Sequence, residues 1–360
     1  MSEPSGGGIL TAGEEQAVAP LRIGILGAAR IAPMALVRPA ASVPEVRVVA
    51  IAARDPQRAG DFSVKHRIER AYPSYEAMLA APDVEAVYNP LPNSLHCAWT
   101  IRALEAGKHV LCEKPLASNA DEAVRMAEAA ARTGRRLVEA FHWRYHPLAE
   151  RMRQIVASGE LGRLRDVTVD FCIPLPFPRD IRFDYALGGG ATMDLGCYAI
   201  HQMRHLVGAE PEVVRARALV RAPEVDRYME AEMRFPDGTW GRMTCSLFSA
   251  RLLSIRTVVR GDRGEMRVFN PILPHVYHRL TVRTPDGTRA EHVSGEASYV
   301  YQLRAFVAHV RDGAPVPTGP EDAVANMRVI DAVYDRAGLR RRGTPAAEAS
   351  SAAAAADALP

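Results

Sequence analysis

Residues 21–32 read LRIGILGAARIA, a short apolar run that passes directly into a glycine turn. The run has the length of a buried strand, and Gly27, Ala29 and Ala32 stand at the three positions of a G-x-G-x-x-G/A turn. The first glycine permits a tight bend, and a helix beginning near this point directs free N–H groups at a pyrophosphate. The alternative is a plain strand–helix turn. The residues expected to contact a dinucleotide here are Gly27, Ala29, Arg30 and Ile31.

Apolar runs and helical segments alternate from this turn to about residue 145. The runs are VRVVAIA, VEAVY, HVLC and RLVEAF. Helix starts are indicated at Asp55-Pro56, at Ser94, and at Ser118 with its following acids. Strands that alternate with helices predict a parallel sheet covered on both faces. We therefore expect a doubly wound dinucleotide-binding domain over residues 20–145.

The pattern changes to period two after about residue 160. RLRDVTVDFCI, EVVRARALV, DRYMEAEMRF and TWGRMTCSLF alternate apolar and polar residues, and FPDGTW and TPDGTR supply Asp-Gly turns. Helical periodicity returns at 298–311 and 320–337. The prediction is an α/β protein in which the doubly wound domain is followed, over 146–340, by an α+β domain with a mostly antiparallel open sheet. Residues 1–19 and 341–360 are expected to be disordered tails.

The composition excludes several classes of function. The 360 residues are 48% hydrophobic and 24% charged, and 45 basic against 42 acidic residues leave a net charge of only +3. That balance argues against nucleic-acid binding, and no apolar stretch is long enough to span a bilayer. The N-terminus lacks the positive region of a secretory signal, and five cysteines without a CxxC pair fit a reduced cytoplasmic protein. The histidines show no metal-binding spacing, so no metal is expected.

The end of the second apolar run bears on the cofactor. NAD-binding domains usually place an acid there for the ribose 2′-hydroxyl, but this run ends in Ala53-Arg54. Asp55, which precedes a proline, is better explained as a helix cap. Arg54 is placed to meet a 2′-phosphate, because a guanidinium matches phosphate geometry. The alternative is a solvated surface arginine. We therefore favour NADP, with NAD as a possible substitute.

Two polar segments are candidates for the chemistry. In CEKPL, Lys114 follows a strand and precedes a proline, which holds it extended at the edge where open α/β sheets bind ligands. In GGGATMDLGCYAIH (188–201), Asp194, Tyr198 and His201 are spaced i, i+4 and i+7, so a helix would place them on one face. That face either looks into a reaction site or is solvated. The glycines lack a preceding strand, which favours close backbone packing over a phosphate loop.

Five segments resemble, in the same order, the glucose–fructose oxidoreductase, inositol dehydrogenase and rhizopine catabolism family (Gfo/Idh/MocA). They are GILGAARIA, NPLPNSLH, GKHVLCEKPL, EAFHWRYHP and GGGATMDLGCYAIH, and the similarity covers about residues 21–338. The resemblance implies a Rossmann domain and an α/β domain whose open sheet often forms a dimer face. It also implies a homodimer or higher homo-oligomer that oxidises or reduces a carbinol or carbonyl carbon, usually of a sugar or other polyol.

The resemblance transfers roles to individual residues. Lys114 matches the family's active-site lysine, and Glu113 the acid beside it. Asp194 matches the first acid of an Asp-x-Gly-x-His-x-x-Asp motif, but Tyr198 replaces its histidine and His201 its last acid. This departure resembles the branch containing glucose–fructose oxidoreductase, dihydrodiol dehydrogenase and xylose dehydrogenase, in which tyrosine is the acid/base. The role of His201 stays open, and we group it with the substrate contacts.

Further residues are assigned by the same analogy, each with an ordinary alternative. Asn93 and His96 are expected near the nicotinamide ribose, although His96 is equally a packed or capping histidine. Arg144 resembles a family arginine near the cofactor, or forms a surface ion pair. Arg182 either forms a polar substrate rim or faces water. The expected sets are catalytic Lys114, Tyr198 and Asp194; cofactor-binding Gly27, Ala29, Arg30, Ile31, Arg54, Asn93, His96, Glu113 and Arg144; and substrate-binding Lys114, Arg182, Asp194 and His201.

The physical case for Tyr198 depends on its pKa. A free phenol has a pKa of about 10, and a nearby ammonium such as Lys114 would lower it toward neutrality. In the oxidative direction Tyr198 would take the hydroxyl proton as hydride leaves the carbon for nicotinamide. The leading hypothesis is an NADP-dependent oxidoreductase of a sugar or polyol. The alternatives are a ketoreductase of nucleotide-linked deoxysugars and a non-catalytic NADP(H)-sensing protein.

Overall fold

A six-stranded parallel sheet forms the first half of the chain, in a computed structural model that describes residues 19–177 and 179–343. Its strands are β1 (Leu21–Leu26), β2 (Val46–Ala52), β3 (Arg70–Tyr72), β4 (Ala86–Asn89), β5 (His109–Cys112) and β6 (Leu137–Glu139). Its helices are α1 (Arg38–Ala40), α2 (Pro56–His66), α3 (Tyr75–Ala80), α4 (Asn93–Glu105) and α5 (Ala120–Thr133), and α1 continues a π-helical turn at Pro33–Val37. The strand order β3-β2-β1-β4-β5-β6 confirms the doubly wound prediction.

Local sequence explains most of these elements. The central strands are buried on both faces and read as continuous apolar runs. The side chain of Asp55 accepts a hydrogen bond from the backbone N–H of Gln57, which confirms it as the cap of α2. Two helix starts were misplaced by one residue: α4 begins at Asn93, and Asn119 rather than Ser118 caps α5. The strand β3 was missed because its three residues are largely exposed and carry no apolar run.

The second sheet has eight strands in the order β14-β13-β12-β11-β7-β10-β9-β8. All neighbouring strands are antiparallel except β7 and β10, which confirms the mostly antiparallel prediction. The strands are β7 (Leu164–Cys172), β8 (Glu212–Ala222), β9 (Val225–Arg234), β10 (Trp240–Ser246), β11 (Ser254–Gly261), β12 (Glu265–Phe269), β13 (Arg279–Thr284) and β14 (Gly287–Glu291). The helices that accompany it are α6 (Pro147–Ala157) and α7 (Cys197–Val207).

The last two helices, α8 (Ser298–Asp312) and α9 (Pro320–Arg336), return to the first sheet. Tyr299, Leu303 and Phe306 of α8 join the buried cluster that contains Ile23 and Ile25 of β1, and α9 packs along α5. A parallel sheet must be covered on both faces, and this segment supplies part of the cover. The segment 146–340 was predicted to belong wholly to the second domain. Its last two helices, α8 and α9, instead complete the cover of the first sheet.

Arg342 lies within the predicted tail but is buried. Its guanidinium donates to Asp226 at 2.8 Å, and both side chains are fully shielded from solvent. The aromatic ring of Tyr334 lies 4.2 Å from the guanidinium carbon. The tail prediction is therefore wrong at its start, since no local pattern shows that a lone arginine pairs with an acid 116 positions earlier. The rest of the two predicted tails, 1–18 and 344–360, lies outside the described residues.

Two further expectations concern the cysteines and membrane-spanning helices. All five cysteines are buried with free thiols, as expected of small apolar side chains. Within residues 19–177 and 179–343, no helix combines the length and the apolar character needed to cross a membrane.

Candidate active site

A cavity of about 280 Å³ lies where the carboxyl ends of β4 and β5 meet the second domain. This is the edge at which open α/β sheets bind ligands. The side chains of Lys114, Asp194, Arg182 and Tyr198 line it together, so the structure unites four of the five residues expected to serve chemistry and substrate. The remaining lining residues are Ile31, Met34, Pro90, Leu91, Pro92, Asn93, Glu113, His142, Phe171, Ile181, Leu187, Gly188, Gly189, Gly190, Met193, Leu195, Ile272, Leu273 and Tyr299.

Lys114 and Asp194 form an ion pair across the domain boundary. The Nζ of Lys114 donates to the backbone carbonyl of Asp194 at 2.8 Å and to its Oδ1 at 3.0 Å. The other carboxylate oxygen, Oδ2, accepts from Nε of Arg182 at 2.7 Å, and Arg182 also binds Asp180 at 3.0 Å. A charged row of lysine, aspartate and arginine thus crosses one wall of the cavity.

The charged groups in this row keep one another ionised. Burial alone would raise the pKa of Asp194, but the adjacent Lys114 and Arg182 cations and their hydrogen bonds outweigh it and hold the pKa below its usual value. Burial opposes the charge on Lys114 as well, yet the nearby Asp194 carboxylate leaves the pKa of the ammonium raised. Both groups therefore stay ionised at neutral pH, and Lys114 can donate a charged hydrogen bond to a reacting oxygen.

Tyr198 lies beside this row, enclosed by aromatic rings. The Phe141 and Phe171 ring centroids are 5.1 and 5.5 Å from its own, in edge-on contacts. The Nζ of Lys114 lies 4.9 Å from the centre of the Tyr198 ring, over its face. The phenol oxygen is 3.4 Å from Nε2 of His142.

The expected direction of the Tyr198 pKa shift is wrong. Burial, with further contributions from Tyr299 and the Glu113 carboxylate, raises the pKa of this phenol well above 10. Lys114 does not reverse the pKa shift, because its ammonium faces the ring and donates its hydrogen bonds to Asp194. The phenol is therefore neutral at physiological pH and has a proton to give.

The glycine segment packs under the site, as predicted. The backbone of Gly190 has φ of +138°, and a Cβ there would lie 2.2 Å from Oδ1 of Asp226, so only glycine fits. The carbonyl of Gly188 accepts a hydrogen bond from the side chain of Asn93 at 2.9 Å, which ties the segment to the start of α4. Asp226 also accepts from the backbone N–H and hydroxyl of Thr192, each at 2.7 Å, and so fixes the turn that presents Asp194.

His201 does not share the face of Asp194 and Tyr198. Its Nε2 lies 2.9 Å from Oδ2 of Asp322 in α9, and its ring stacks on Phe141 at 4.3 Å. Residues Thr192–Gly196 form a π-helical turn, so regular helical spacing does not relate Asp194 to His201, and within α7 His201 is turned toward α9. His201 is therefore not among the residues that line this cavity.

His96 and Arg144 also lie away from the cavity lining. The two ring nitrogens of His96 lie 3.0 Å from the carbonyl oxygen of Pro115 and 2.8 Å from that of Leu91, and burial lowers the pKa of the ring to about 4. It packs the loops after β4 and β5, the ordinary alternative. Arg144 lines a separate cavity of about 320 Å³ together with His201.

Glu113 lines the cavity, and both of its carboxylate oxygens accept hydrogen bonds from the protein. Its Oε1 accepts from the hydroxyl of Tyr88 at 2.6 Å, and its Oε2 accepts from the backbone N–H of Lys114 at 3.3 Å. Burial raises the pKa of Glu113, against the opposing effects of Tyr88 and Lys114. The carboxyl group thus fixes the loop that presents Lys114.

The turn after β1 fits a dinucleotide pyrophosphate. Gly27 has φ of +92°, and a Cβ there would lie 2.9 Å from the side chain of Leu91. Within the described residues, no group accepts a hydrogen bond from the backbone N–H of Ala28, Arg30 or Ile31. Unpaired N–H groups at a glycine turn are the donors that bind pyrophosphate. The N–H of Ala29 is already used, since it donates to the carbonyl of Gly27 at 2.9 Å.

Two arginines lie near the end of β2, where the adenosine ribose of such a dinucleotide would be held. Arg54 is exposed just beyond the strand, a position that fits both the predicted 2′-phosphate contact and a solvated arginine. Arg58, in the first turns of α2, reaches the carbonyl of Ala28 at 3.5 Å and was missed. Its place in the first turn of a predicted helix, close after Arg54 in the sequence, was the available signal. Arg30 instead points across the domains to Asp180, at 2.9 Å.

His142, which the sequence offered only as an uncommitted substrate contact, and Tyr299, which it did not indicate, also belong to the site. Both line the cavity, and their rings lie 4.0 Å apart. His142 stands in a segment noted for its family resemblance, so a signal existed. Tyr299 arrives from α8, more than 150 residues later, and no local pattern shows that this helix reaches the cavity.

Two family profiles match consecutive parts of the chain. One, described as "Oxidoreductase family, NAD-binding Rossmann fold", covers residues 21–141. The other, described as "GFO/IDH/MocA C-terminal domain", covers residues 149–267.

Individual proteins match over nearly the whole chain. D-xylose 1-dehydrogenase (NADP(+)) 2 of Haloferax volcanii is 36% identical over 88% of this chain and 97% of its own. The dTDP-3,4-didehydro-2,6-dideoxy-alpha-D-glucose 3-reductase of Streptomyces violaceoruber is 32% identical over 92% of this chain and 99% of its own. A 3-ketoreductase from Actinomadura kijaniata, crystallised with NADP and TDP-benzene, superposes with a TM-score of 0.81 at 30% identity, covering 88% of this chain and 97% of its own.

Proposed function

The chain belongs to the Gfo/Idh/MocA family of NAD(P)-binding oxidoreductases, and on that premise we propose that it moves hydride between NADP and a carbinol or carbonyl carbon of a sugar or polyol. One observation carries this proposal. Lys114 from the first domain, and Asp194 and Tyr198 from the second, line a single cavity at the carboxyl edge of the parallel sheet. A charged donor and a phenol are the groups that a carbinol–carbonyl conversion needs at the oxygen.

Each residue has a defined task in this proposal. In reduction, Tyr198 donates its proton to the carbonyl oxygen while Lys114 donates a hydrogen bond to the same atom. In oxidation, Tyr198 receives the hydroxyl proton. Asp194 holds the lysine, and Arg182 holds the carboxylate of Asp194 at 2.7 Å and offers its remaining N–H groups to substrate hydroxyls. The nicotinamide, when bound, supplies or accepts the hydride.

Preference for NADP rests on Arg54 and Arg58. Both arginines follow β2. The position where an acid would bind a ribose 2′-hydroxyl is occupied by Arg54, since Ala53 precedes it and Asp55 caps α2. A guanidinium pair in this position stabilises a 2′-phosphate and gains nothing from a hydroxyl. The NADP-linked xylose dehydrogenase among the relatives agrees with this assignment.

The polar wall of the cavity and the relatives support the proposed substrate class. Free sugars and small diols present adjacent hydroxyls, which suit the donors of Lys114 and Arg182. Two relatives named as dehydrogenases act on D-xylose and on trans-1,2-dihydrobenzene-1,2-diol. The second candidate is the reduction of a nucleotide-linked ketosugar, favoured by the reductase relative that matches 92% of this chain.

Cofactor absorbance at 340 nm distinguishes these functions. The protein is assayed with NADP⁺ and a panel of aldoses and trans-diols, and with NADPH and a dTDP-linked ketodeoxysugar. We expect kcat/KM for at least one free polyol to exceed that for the nucleotide sugar by about ten-fold or more. The reverse order would support the ketoreductase. Tight NADPH binding without turnover in either assay would contradict the proposed activity and favour a sensor.

A further inference from the structure

A row of hydrogen-bonding groups leads from the Tyr198 hydroxyl toward the surface. The hydroxyl lies 3.4 Å from Nε2 of His142, and Nδ1 of the same ring lies 2.8 Å from Oγ of Ser298. That Oγ lies 3.3 Å from Nδ1 of His275. Tyr198, His142 and Ser298 are buried, whereas His275 is partly exposed in the loop between β12 and β13. The row therefore joins a buried phenol to solvent through three residues.

One backbone group sets the direction of this row. The backbone N–H of Ser298 donates to Nδ1 of His275 at 3.3 Å. Ser298 is the first residue of α8, so its N–H has no partner inside the helix. A backbone N–H only donates, which makes Nδ1 of His275 an acceptor and puts the proton of that neutral ring on Nε2.

The remaining hydrogens follow from this first assignment. We assign the hydroxyl of Ser298 as a second donor to Nδ1 of His275, so that the backbone N–H and the hydroxyl, both at 3.3 Å, share the lone pair of that nitrogen. The Ser298 oxygen then accepts from Nδ1–H of His142, which leaves Nε2 of His142 as the acceptor for the phenol of Tyr198. All three contacts point the same way, outward from the active site.

The rings are held neutral and in place. His142 packs against Tyr299 with ring centroids 4.0 Å apart. Burial, together with the charges of His275, Lys114 and His146, lowers the pKa of His142 to about 3. A neutral imidazole, with one donor and one acceptor nitrogen, can accept a proton on one side and release one on the other.

We propose that His142, Ser298 and His275 form a proton-exit path, which carries the phenol proton of Tyr198 to solvent during oxidation of the substrate. The inference rests on the proposed function, in which Tyr198 is the acid/base. Such a path is required because the Tyr198 phenol already carries a proton. The phenol cannot accept the proton of a carbinol unless its own proton departs. We call these three residues the exit path.

The transfers balance at every atom. The proton of the substrate hydroxyl forms a new O–H bond with Tyr198 as the old Tyr198 O–H bond breaks toward Nε2 of His142. Nδ1–H of His142 breaks as an O–H bond forms at Ser298, and the former Ser298 proton goes to Nδ1 of His275. Nε2–H of His275 then passes to water. The long 3.4 Å contact is expected to shorten when substrate fills the cavity.

The assigned tautomers can be tested without turnover. In the protein labelled with ¹⁵N-histidine, long-range ¹H–¹⁵N spectra at pH 7.5 distinguish protonated from bare ring nitrogens. We expect His142 as the Nδ1–H form and His275 as the Nε2–H form, assigned with His142→Gln and His275→Gln. The opposite tautomer at either ring would overturn the path even if the enzyme is active.

Single-turnover kinetics tests the function of the path. In reduction the first turnover uses the proton already on Tyr198, whereas in oxidation the first turnover must export one. Ser298→Ala is therefore expected to slow the first oxidative turnover about ten-fold or more and to leave the first reductive turnover within two-fold. Equal slowing of both directions, or of neither, would contradict the path.

Two further variants complete the design. His275→Ala is expected to show the same oxidative defect and to recover as imidazole is added at constant pH, since the exit lies at the surface. His292→Ala, an exposed histidine outside the path, serves as the matched control and should behave as wild type. Failure of imidazole to rescue would count against His275 as the exit. If the wild-type protein turns over no substrate, the proposed function fails, and the tautomer measurement still decides the path.

Discussion

At the scale of single residues, the site depends on the protonation states of Lys114 and Tyr198, which burial and neighbouring charges determine. The lysine keeps its charge because Asp194 lies 3.0 Å away, and the tyrosine keeps its proton because burial raises the pKa of its phenol. Sequence and resemblance identified both residues. They could not give the direction of the Tyr198 pKa, because this depends on whether the ammonium points at the oxygen or at the ring.

Replacing Lys114 by methionine tests the first of these roles. The variant keeps the length of the side chain but loses the donor to the reacting oxygen, so we expect kcat to fall by about 10² to 10³ while NADPH affinity changes less than three-fold. Stopped-flow turnover and fluorescence titration with NADPH provide the two readouts. Lys65→Met, on the exposed side of α2, is the control. Turnover near the wild-type level in Lys114→Met would remove the lysine from the mechanism.

Arg54 and Arg58 determine the cofactor preference in this account. Changing both to alanine removes the cations that a 2′-phosphate would meet, so we expect Kd for NADP⁺ to rise by about ten-fold to a hundred-fold and that for NAD⁺ by less than three-fold. Calorimetric titration of each cofactor measures the two values. Arg67→Ala, beyond the end of α2, removes one arginine away from the glycine turn and serves as the control. Equal losses for the two cofactors would contradict the assignment.

At the scale of elements, strands with continuous apolar runs were predictable and the connections that form the site were not. The bounds of β1, β2 and β5 follow directly from their apolar runs. By contrast, the π-helical turn at Thr192–Gly196 interrupts the regular helix that was assumed to run from Asp194 to His201. Such a turn is stabilised by tertiary contacts, here those of Asp226, which lie far away in sequence.

Glu139, at the end of β6, makes the stability of this region depend on pH. Burial, with the nearby Asp322 charge, raises the pKa of Glu139 to about 8, although its Oε1 accepts from the backbone N–H of Leu116. Between the unfolded pKa of about 4.3 and this folded value, only the folded state holds the proton. Its contribution to stability is therefore present at low pH and is lost as pH rises through the window, by on the order of 1 kcal/mol per unit.

The variant Glu139→Gln removes that titration. We expect urea unfolding to show a smaller loss of stability from pH 5.5 to 8 than in wild type, and the variant to be the more stable protein at pH 8. Glu128→Gln, at an exposed position of α5, should follow the wild-type pH profile. Parallel pH profiles for wild type and Glu139→Gln would show that the carboxyl group is ionised in the folded state.

At the scale of the whole molecule, the end of the chain closes the structure over the site. α8 covers the first sheet and brings Tyr299 to the cavity, and Arg342 joins Asp226 beneath the glycine segment. The division into two fold types was predictable from the change of periodicity near residue 160. The return of the C-terminal helices was not, because an amphipathic helix does not reveal which sheet it will cover.

The buried pair of Arg342 and Asp226 offers a test at this scale. Arg342→Met leaves an uncompensated buried carboxylate, which costs about 3–5 kcal/mol and lowers Tm on the order of 10 °C. The neighbouring Arg341 pairs with Asp335 at the surface, so Arg341→Met should cost less than about 1 kcal/mol. Differential scanning calorimetry of the two variants makes the comparison. Similar Tm values would show that residue 342 belongs to the tail after all.

The central claim is that a lysine from one domain and a tyrosine from the other meet at a single carbon beside the nicotinamide. A crystal structure with NADP⁺ bound tests it most directly. We predict the nicotinamide C4 in the cavity, about 4–6 Å from both Nζ of Lys114 and the phenol oxygen of Tyr198, with room for one carbinol between them. A nicotinamide bound outside this cavity, or with either group beyond reach of a shared substrate oxygen, would contradict the account.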